Sequence, residues 1–213
     1  MKIDEFGMDT ISLAGPLEAK LRAMRDAGFG QVMLSARDVV GHPDGLDAAV
    51  KAVRSSALRG TGFQVLCDFE GLSGTLHGCK VDITNSMIEM CTRGCKVPLA
   101  CSSTSKHAAG DTATLARDLR KLATLAHPYN IKVAYEALSW GRSVNRFTQA
   151  WQIVDEANRP NLGTGYWVLG SIRSTSALPT TVWTTWTCWT PNAPPWCSCR
   201  TLCGRKRPLS KNA

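Results

Sequence analysis

Apolar and polar residues follow two different periods along the first 165 residues. Short apolar runs, typical of buried strands, are separated by stretches in which apolar residues recur every three or four positions, as in helices. We predict strands at residues 10–14, 31–35, 62–66, 97–102, 132–136 and 161–165. The helical stripes between them are Leu17/Leu21/Met24/Ala27, Ala48/Val50/Val53, Ile83/Met87/Met90 and Leu115/Leu119/Leu122/Leu125. The chain therefore alternates strand and helix.

Residues with a preference for helix ends flank these stripes. Asp44 and Asp111 are expected to cap helix N-termini through their side-chain oxygens. Gly28 and Gly94 stand where helix C-caps are expected.

A strand recurs about every 30 residues, which is the length of one strand–helix–strand unit. This alternation predicts parallel strands joined by right-handed crossovers. It fits either a doubly wound sheet or a β/α barrel. The lack of a Gly-x-Gly-x-x-Gly motif after the first strand disfavours a dinucleotide-binding fold, but the period itself leaves the two architectures open.

Composition changes abruptly near residue 166. The formal net charge is +8, yet residues 1–165 hold 19 basic and 17 acidic residues. Residues 166–213 hold six basic residues and no acidic one, with five of the seven Trp and four of the nine Cys. We therefore predict a folded domain over residues 1–165 and an irregular tail over residues 166–213.

Three interpretations of the tail are open. Its cysteines suggest zinc, but Cys-x-Cys-x₃-Cys is not a usual finger spacing. The basic run at 205–207 suggests nucleic acid, although such ends are usually only solvated, so we expect no nucleic-acid partner. The third interpretation is translation out of frame. Trp is encoded by TGG and Thr by ACN, so starting each codon one base earlier converts x-Trp-Thr into an apolar residue followed by Asp. Residues 182–190 then become amphipathic, which favours the frameshift.

The N-terminus and the hydropathy of the chain bear on its location. No apolar run approaches the roughly 18 residues that a membrane span needs. The first five residues include Asp4 and Glu5 and begin no apolar signal-peptide core. We expect a cytoplasmic protein with no membrane partner.

Polar residues cluster after the predicted strands, where α/β proteins bind their ligands. Carboxylate and amide oxygens suit a hard divalent cation. A buried carboxylate such as Glu136 needs either a cation or a basic partner, so it is predicted either to bind metal or to pair with Arg142. The other residues of this set are Gln64, Asp68, Glu70, Ser102, Ser103, His107, Trp140 and Asn145.

One segment carries a family resemblance. Residues 133–142, Val-Ala-Tyr-Glu-Ala-Leu-Ser-Trp-Gly-Arg, followed by Val144 and Asn145, resemble the signature of 3-dehydroshikimate dehydratases, which are xylose-isomerase-like barrels. Residues 62–71, 101–103 and 158–163 are similar to the same family. The resemblance spans roughly residues 10–165. It implies a partial TIM (β/α) barrel with about five to six of the eight units.

The resemblance also implies a reaction. A metal-dependent lyase would remove water from 3-dehydroshikimate to give protocatechuate in quinate and shikimate catabolism, the cation polarising the substrate carbonyl. Mg²⁺, Mn²⁺, Co²⁺ and Zn²⁺ all remain candidates, and the intact enzyme could be a homo-oligomer. Glu136 matches the first of four metal ligands and is the implied catalytic residue. The implied contacts to the small-molecule substrate are Gln64, Glu70, Ser102, Arg142 and Asn145.

The chain departs from the family at three places. Cys67 stands where Arg is expected, and Ser143 where His is usual. After Gly163 the family continues Leu-Asp-Ser-Phe-His, with the second ligand and a candidate acid/base His, whereas this chain reads Thr-Gly-Tyr-Trp. We therefore expect a truncated, inactive copy.

Two other functions stay open. A sugar phosphate isomerase or epimerase could use the same barrel, although residues 137–140 disfavour it. A non-enzymatic nucleic-acid- or zinc-binding module would use the tail.

Overall fold

The computed structural model describes residues 3–167 and 185–186. The strands are β1 (Gly7–Asp9), β2 (Gln31–Ser35), β3 (Arg59–Cys67), β4 (Pro98–Cys101), β5 (Val133–Glu136), β6 (Leu162–Thr164), β7 (Tyr166–Trp167) and β8 (Thr185–Trp186). The α-helices are α1 (Leu17–Asp26), α2 (Ala36–Val40), α3 (Gly45–Ser55), α4 (Gly74–Thr92), α5 (Thr112–Ala126) and α6 (Phe147–Ala157). Three 3₁₀ turns occupy Ile3–Glu5, Thr10–Ser12 and His127–Tyr129.

Strands β1 to β6 form one parallel sheet in sequential order. A doubly wound sheet would reverse its strand order partway, whereas a barrel adds each strand beside the previous one. The strand order therefore confirms the partial barrel with six of its units. Within the described ranges, β1 and β6 are both edges of this sheet. Strands β7 and β8 form a separate antiparallel pair, and β8 lies near β1.

The first predicted strand was wrong. The structure places β1 at Gly7–Asp9, and the segment predicted as a strand begins with the 3₁₀ turn Thr10–Ser12. Asp9 starts this turn because its carboxylate accepts a hydrogen bond from the Ile11 N–H at 2.9 Å. The other five strands fall at the predicted positions, although β3 begins three residues before its predicted start.

The predicted helix ends are confirmed in part. Asp111 caps α5 by accepting a hydrogen bond from the Thr114 N–H at 2.9 Å. Gly28 follows α1 with a φ of +89°, a backbone conformation that favours glycine. Asp44 precedes α3, but its side chain makes no capping hydrogen bond, so this part of the prediction was wrong.

The sheet buries its two faces differently. The helices pack against the outer face and form the main core, in which Leu119 of α5 is fully buried. The inner face carries a small cluster of Met33, Leu99, Cys101 and Ala134. Because both faces are covered, the strands read as continuous apolar runs.

Two further sequence predictions concern the tail and the presence of membrane-spanning segments. The tail interpretations fall mainly on residues 168–184 and 187–213, outside the described residues, so the boundary near residue 165 stays a prediction. None of the described helices combines the length and apolarity needed to cross a bilayer.

Candidate active site

A cavity of about 550 Å³ opens where the parallel strands end. Cys67, Cys101 and Glu136, the last residues of β3, β4 and β5, are aligned partners in the sheet and all line this cavity. Its remaining lining residues are Asp9, Ile11, Ser12, Gln64, Val65, Leu99, Thr104, Leu138 and Trp140. The cavity therefore lies at the edge of the sheet where the sequence predicts the site.

Glu136 ends β5 with only 9% of its surface exposed. The Cys101 thiol lies 3.6 Å from the Oε2 atom of Glu136. The backbone carbonyl of Glu136 accepts a hydrogen bond from the Ser102 N–H at 2.8 Å. The alternative ion pair with Arg142 does not form: the salt bridges among residues 3–167 do not join these two residues. Glu136 is therefore placed at the cavity wall by its position at the end of β5, without an ion pair to Arg142.

Gln64 lines the cavity opposite a carboxylate that the sequence analysis missed. Its Nε2 atom donates a hydrogen bond to Asp9. Burial raises the pKa of the Asp9 carboxyl to about 6, against the hydrogen bonds from Ile11 and Gln64, which lower it. Asp9 was overlooked because the first strand was predicted to begin at residue 10. The signal in the sequence that could have identified Asp9 is its place as an acidic residue next to a short apolar run.

Glu70 lies behind the cavity wall and is 2% exposed. Its Oε1 atom accepts hydrogen bonds from the Ser103 N–H at 2.6 Å and the Tyr135 hydroxyl at 3.0 Å. The Ser103 hydroxyl in turn donates to the Glu70 carbonyl at 2.5 Å. Burial raises the pKa of Glu70 to about 7. These contacts tie the loop after β3 to strands β4 and β5.

Ser102 is buried, and its hydroxyl accepts a hydrogen bond from the Leu138 N–H at 2.9 Å. The Arg142 N–H donates to the Ser103 carbonyl at 2.8 Å. The two serines therefore anchor the loop that follows Glu136. They lie beside the cavity and hold its wall in place.

Arg142 and Asn145 lie on the loop between β5 and α6, and both side chains are exposed. Neither lines the cavity. The Asn145 N–H donates to Gln149 Oε1 at 3.0 Å, at the start of α6. Of the six residues predicted from the sequence, Gln64 and Glu136 line the cavity. Glu70 and Ser102 are buried and do not line it, and Arg142 and Asn145 are exposed outside its lining.

Asp68 and His107, which the sequence also places after the strands, do not line the cavity. The Asp68 carboxylate accepts hydrogen bonds from the N–H groups of Thr104 and Ser105 at 2.7 and 3.1 Å, which holds the loop after β4. His107 is exposed on that loop.

The metal-binding capacity of the cavity is limited. Across the residues that the structure describes, no three side chains of the types Asp, Glu, His or Cys converge as metal ligands. Among the described residues, Glu136 is therefore not part of such a group.

Residues 21–166 match the family model for xylose isomerase-like TIM barrels. The chain belongs to this family. Within it, the chain is 36% identical over 156 residues to a 3-dehydroshikimate dehydratase of Pseudomonas aeruginosa, and 32% identical over 155 residues to one of Pseudomonas putida. Each match covers 72% of this chain and 24% of the relative, so the chain spans about a quarter of the length of these relatives.

A solved structure shows the same similarity. A xylose isomerase-like TIM barrel/4-hydroxyphenylpyruvate dioxygenase fusion protein superposes with a TM-score of 0.72 at 31% sequence identity. The superposition covers 77% of this chain and 26% of the fusion protein. The resemblance drawn from residues 133–145 is confirmed at the level of the family.

Proposed function

We propose that residues 3–167 are the front six strands of a barrel that removes water from 3-dehydroshikimate to give protocatechuate. The observation that carries this proposal is the position of Glu136. It ends β5 at the cavity wall, within the segment that resembles the dehydratase signature. The dehydratase relatives support the substrate, although the match covers only 24% of each.

We further propose that Glu136 is one ligand of a divalent cation in the complete barrel. A buried carboxylate at a barrel mouth has the right chemistry for Mg²⁺, Mn²⁺, Co²⁺ or Zn²⁺. The described residues do not supply the remaining ligands. The side chains of the described residues are therefore proposed to bind and orient the substrate.

Gln64 is proposed to bind a substrate hydroxyl. Its amide nitrogen must face the Asp9 carboxylate, since that group accepts hydrogen bonds and the amide oxygen would be repelled. The amide oxygen is then left to accept a hydrogen bond from substrate. Asp9 fixes this orientation from β1.

Ser102, Ser103 and Glu70 are proposed to position the β5 loop. Their hydrogen bonds hold Glu136, Leu138 and Arg142 relative to one another. The exposed Arg142 guanidinium is then available for the carboxylate of the substrate, a contact that a planar, permanently charged group makes well.

The chain as written is proposed to be inactive. The family places its second metal ligand and an acid/base His directly after Gly163, and residues 164–167 provide neither. A single carboxylate holds a divalent ion weakly, because such sites normally use several oxygen ligands.

The test compares two proteins. One is the 213-residue chain, and the other joins residues 1–165 to the segment that follows the matched region in the P. aeruginosa relative. Protocatechuate formation is followed by ultraviolet absorbance with each of the four cations. We expect turnover from the fusion alone. Turnover by the unmodified chain would overturn the proposed inactivity, and a cooperatively melting fusion without turnover would overturn the proposed function.

Glu136→Gln in the fusion should abolish turnover and most cation affinity. Glu156→Gln is the matched control, because it makes the same chemical change on the exposed face of α6. Equal activity of the two variants would remove Glu136 from the metal site.

A further inference from the structure

Two cysteines and one glutamate form a row across the mouth of the barrel. Cys67 of β3 is the sheet partner of Cys101 of β4, which is the partner of Glu136 of β5. All three line the cavity. Partner residues on parallel neighbouring strands point to the same face of a sheet, with the strands about 4.8 Å apart. The two thiols are therefore side by side, and Cys101 also contacts Glu136 at 3.6 Å.

We propose that Cys67 and Cys101 bind a single thiophilic metal ion of low coordination number, with monovalent copper as the representative case. A metal–sulfur bond is about 2.3 Å long. Two sulfurs on opposite sides of one ion are then about 4.6 Å apart, close to the spacing of adjacent strands of about 4.8 Å. Ion binding displaces the two thiol protons to solvent.

The two thiols favour a soft, two-coordinate ion over zinc or magnesium. Thiolates select soft ions such as monovalent copper, whereas magnesium requires oxygen ligands. Zinc in a closed site needs four ligands, and residues 3–167 offer no converging group of three.

The pair is also accessible. Cys67 is exposed, and its sheet partner Cys101 is buried in the inner cluster. An ion can therefore enter from the cavity, meet the exposed Cys67 sulfur first and then reach Cys101. Cys79 is exposed on α4 and does not line the cavity, which makes it the appropriate control.

The test is an anaerobic titration of the full 213-residue chain with monovalent copper buffered by bicinchoninate. A phosphine reductant keeps the thiols reduced. The number of copper ions retained is compared between the wild-type chain, Cys67→Ser and Cys79→Ser. We expect Cys67→Ser to retain one ion fewer and Cys79→Ser to match the wild type. The cysteines other than Cys67 and Cys79 are present in all three proteins, so any copper ions that they bind are counted equally in each.

A second variant guards against a folding defect. Cys67→Arg introduces the residue that the family resemblance predicts at this position, and it should also lose one copper ion. X-ray absorption at the copper edge should lose a two-sulfur component in both Cys67 variants. Retention of the wild-type stoichiometry by both of them, or an equal loss in Cys79→Ser, would overturn the proposal.

Discussion

The two faces of the sheet carry different kinds of side chain. The outer face, against the helices, is an apolar layer of side chains such as Leu119, Leu122 and Ile153. Among the described residues, the inner face carries a small cluster of four buried apolar residues, and Asp9, Gln64, Cys67 and Glu136 surround a cavity beside it. Stability therefore resides mainly on one face of the strands and the candidate site on the other, although alternate residues of the same strands supply both.

The largest effect should come from the outer face. Leu119→Ala removes a side chain with no exposed surface and leaves a cavity in a packed core. The free energy of unfolding should fall by about 2–5 kcal/mol. Leu76→Ala, at a side chain 48% exposed on α4, should change it by less than about 0.5 kcal/mol. Urea denaturation measures both, and similar losses would show that the outer layer is not the source of stability.

Glu70 lies between the two faces, and its effect should depend on pH. Burial raises its pKa from 4.5 to about 7. The folded state therefore binds the proton more tightly than the unfolded state. The stabilisation that this provides is complete below pH 4.5 and is lost as the pH rises through 7, amounting to about 3 kcal/mol.

Glu70→Gln removes this titration while keeping an acceptor for Ser103 and Tyr135. The difference in unfolding free energy between the variant and the wild type should therefore grow in favour of the variant between pH 4.5 and 8. A difference that stays constant over this range would show that Glu70 titrates normally.

Cys67→Arg should change the chemistry of the inner face while leaving its stability intact. In the active fusion protein, a charge-assisted contact to the substrate carboxylate is worth about 1.5–3 kcal/mol, or roughly a 10- to 150-fold gain in kcat/KM. The midpoint of urea unfolding should not move, because Cys67 is exposed. An unchanged kcat/KM would mean that position 67 does not contact substrate.

The smallest effect should come from the N-terminus of helix α5. Asp111→Ala removes the side-chain hydrogen bond to the Thr114 N–H. Loss of such a cap costs about 1 kcal/mol. Asp44→Ala is the matched control, since Asp44 precedes α3 without a capping hydrogen bond. Equal losses in thermal denaturation would refute the capping role of Asp111.

Sequence reasoning succeeded where a pattern has a single local cause. The apolar run ending at Ser35 was predicted with the observed bounds, and Glu136 was placed at a strand end because the preceding residues are continuously apolar. Strand β1 failed because three residues are too few to show a period. The apolar residues after it, at Ile11 and Leu13, alternate like a strand.

The direction of side chains after a strand was less predictable. Gln64 lies within β3 and Glu70 follows it, yet of these two only Gln64 lines the cavity. The backbone turns at Asp68 and Gly71, with φ values of +57° and +77°, and this turn carries Glu70 to the buried side. Such a turn depends on contacts with the loop after β4, which no local pattern in the sequence encodes.

The aligned ends of β3, β4 and β5 have a consequence for how this barrel can evolve. Because the strands finish level with one another, their last residues are neighbours in space while being separated by whole helices in sequence. A point mutation at one of these ends can alter the ligand preference of its neighbours without disturbing the core beneath. Position 67 is one of these ends, and this chain has Cys there where the family resemblance predicts Arg. New binding properties can therefore arise here through single substitutions, because the fold is stabilised mainly by the apolar layer between the sheet and the helices.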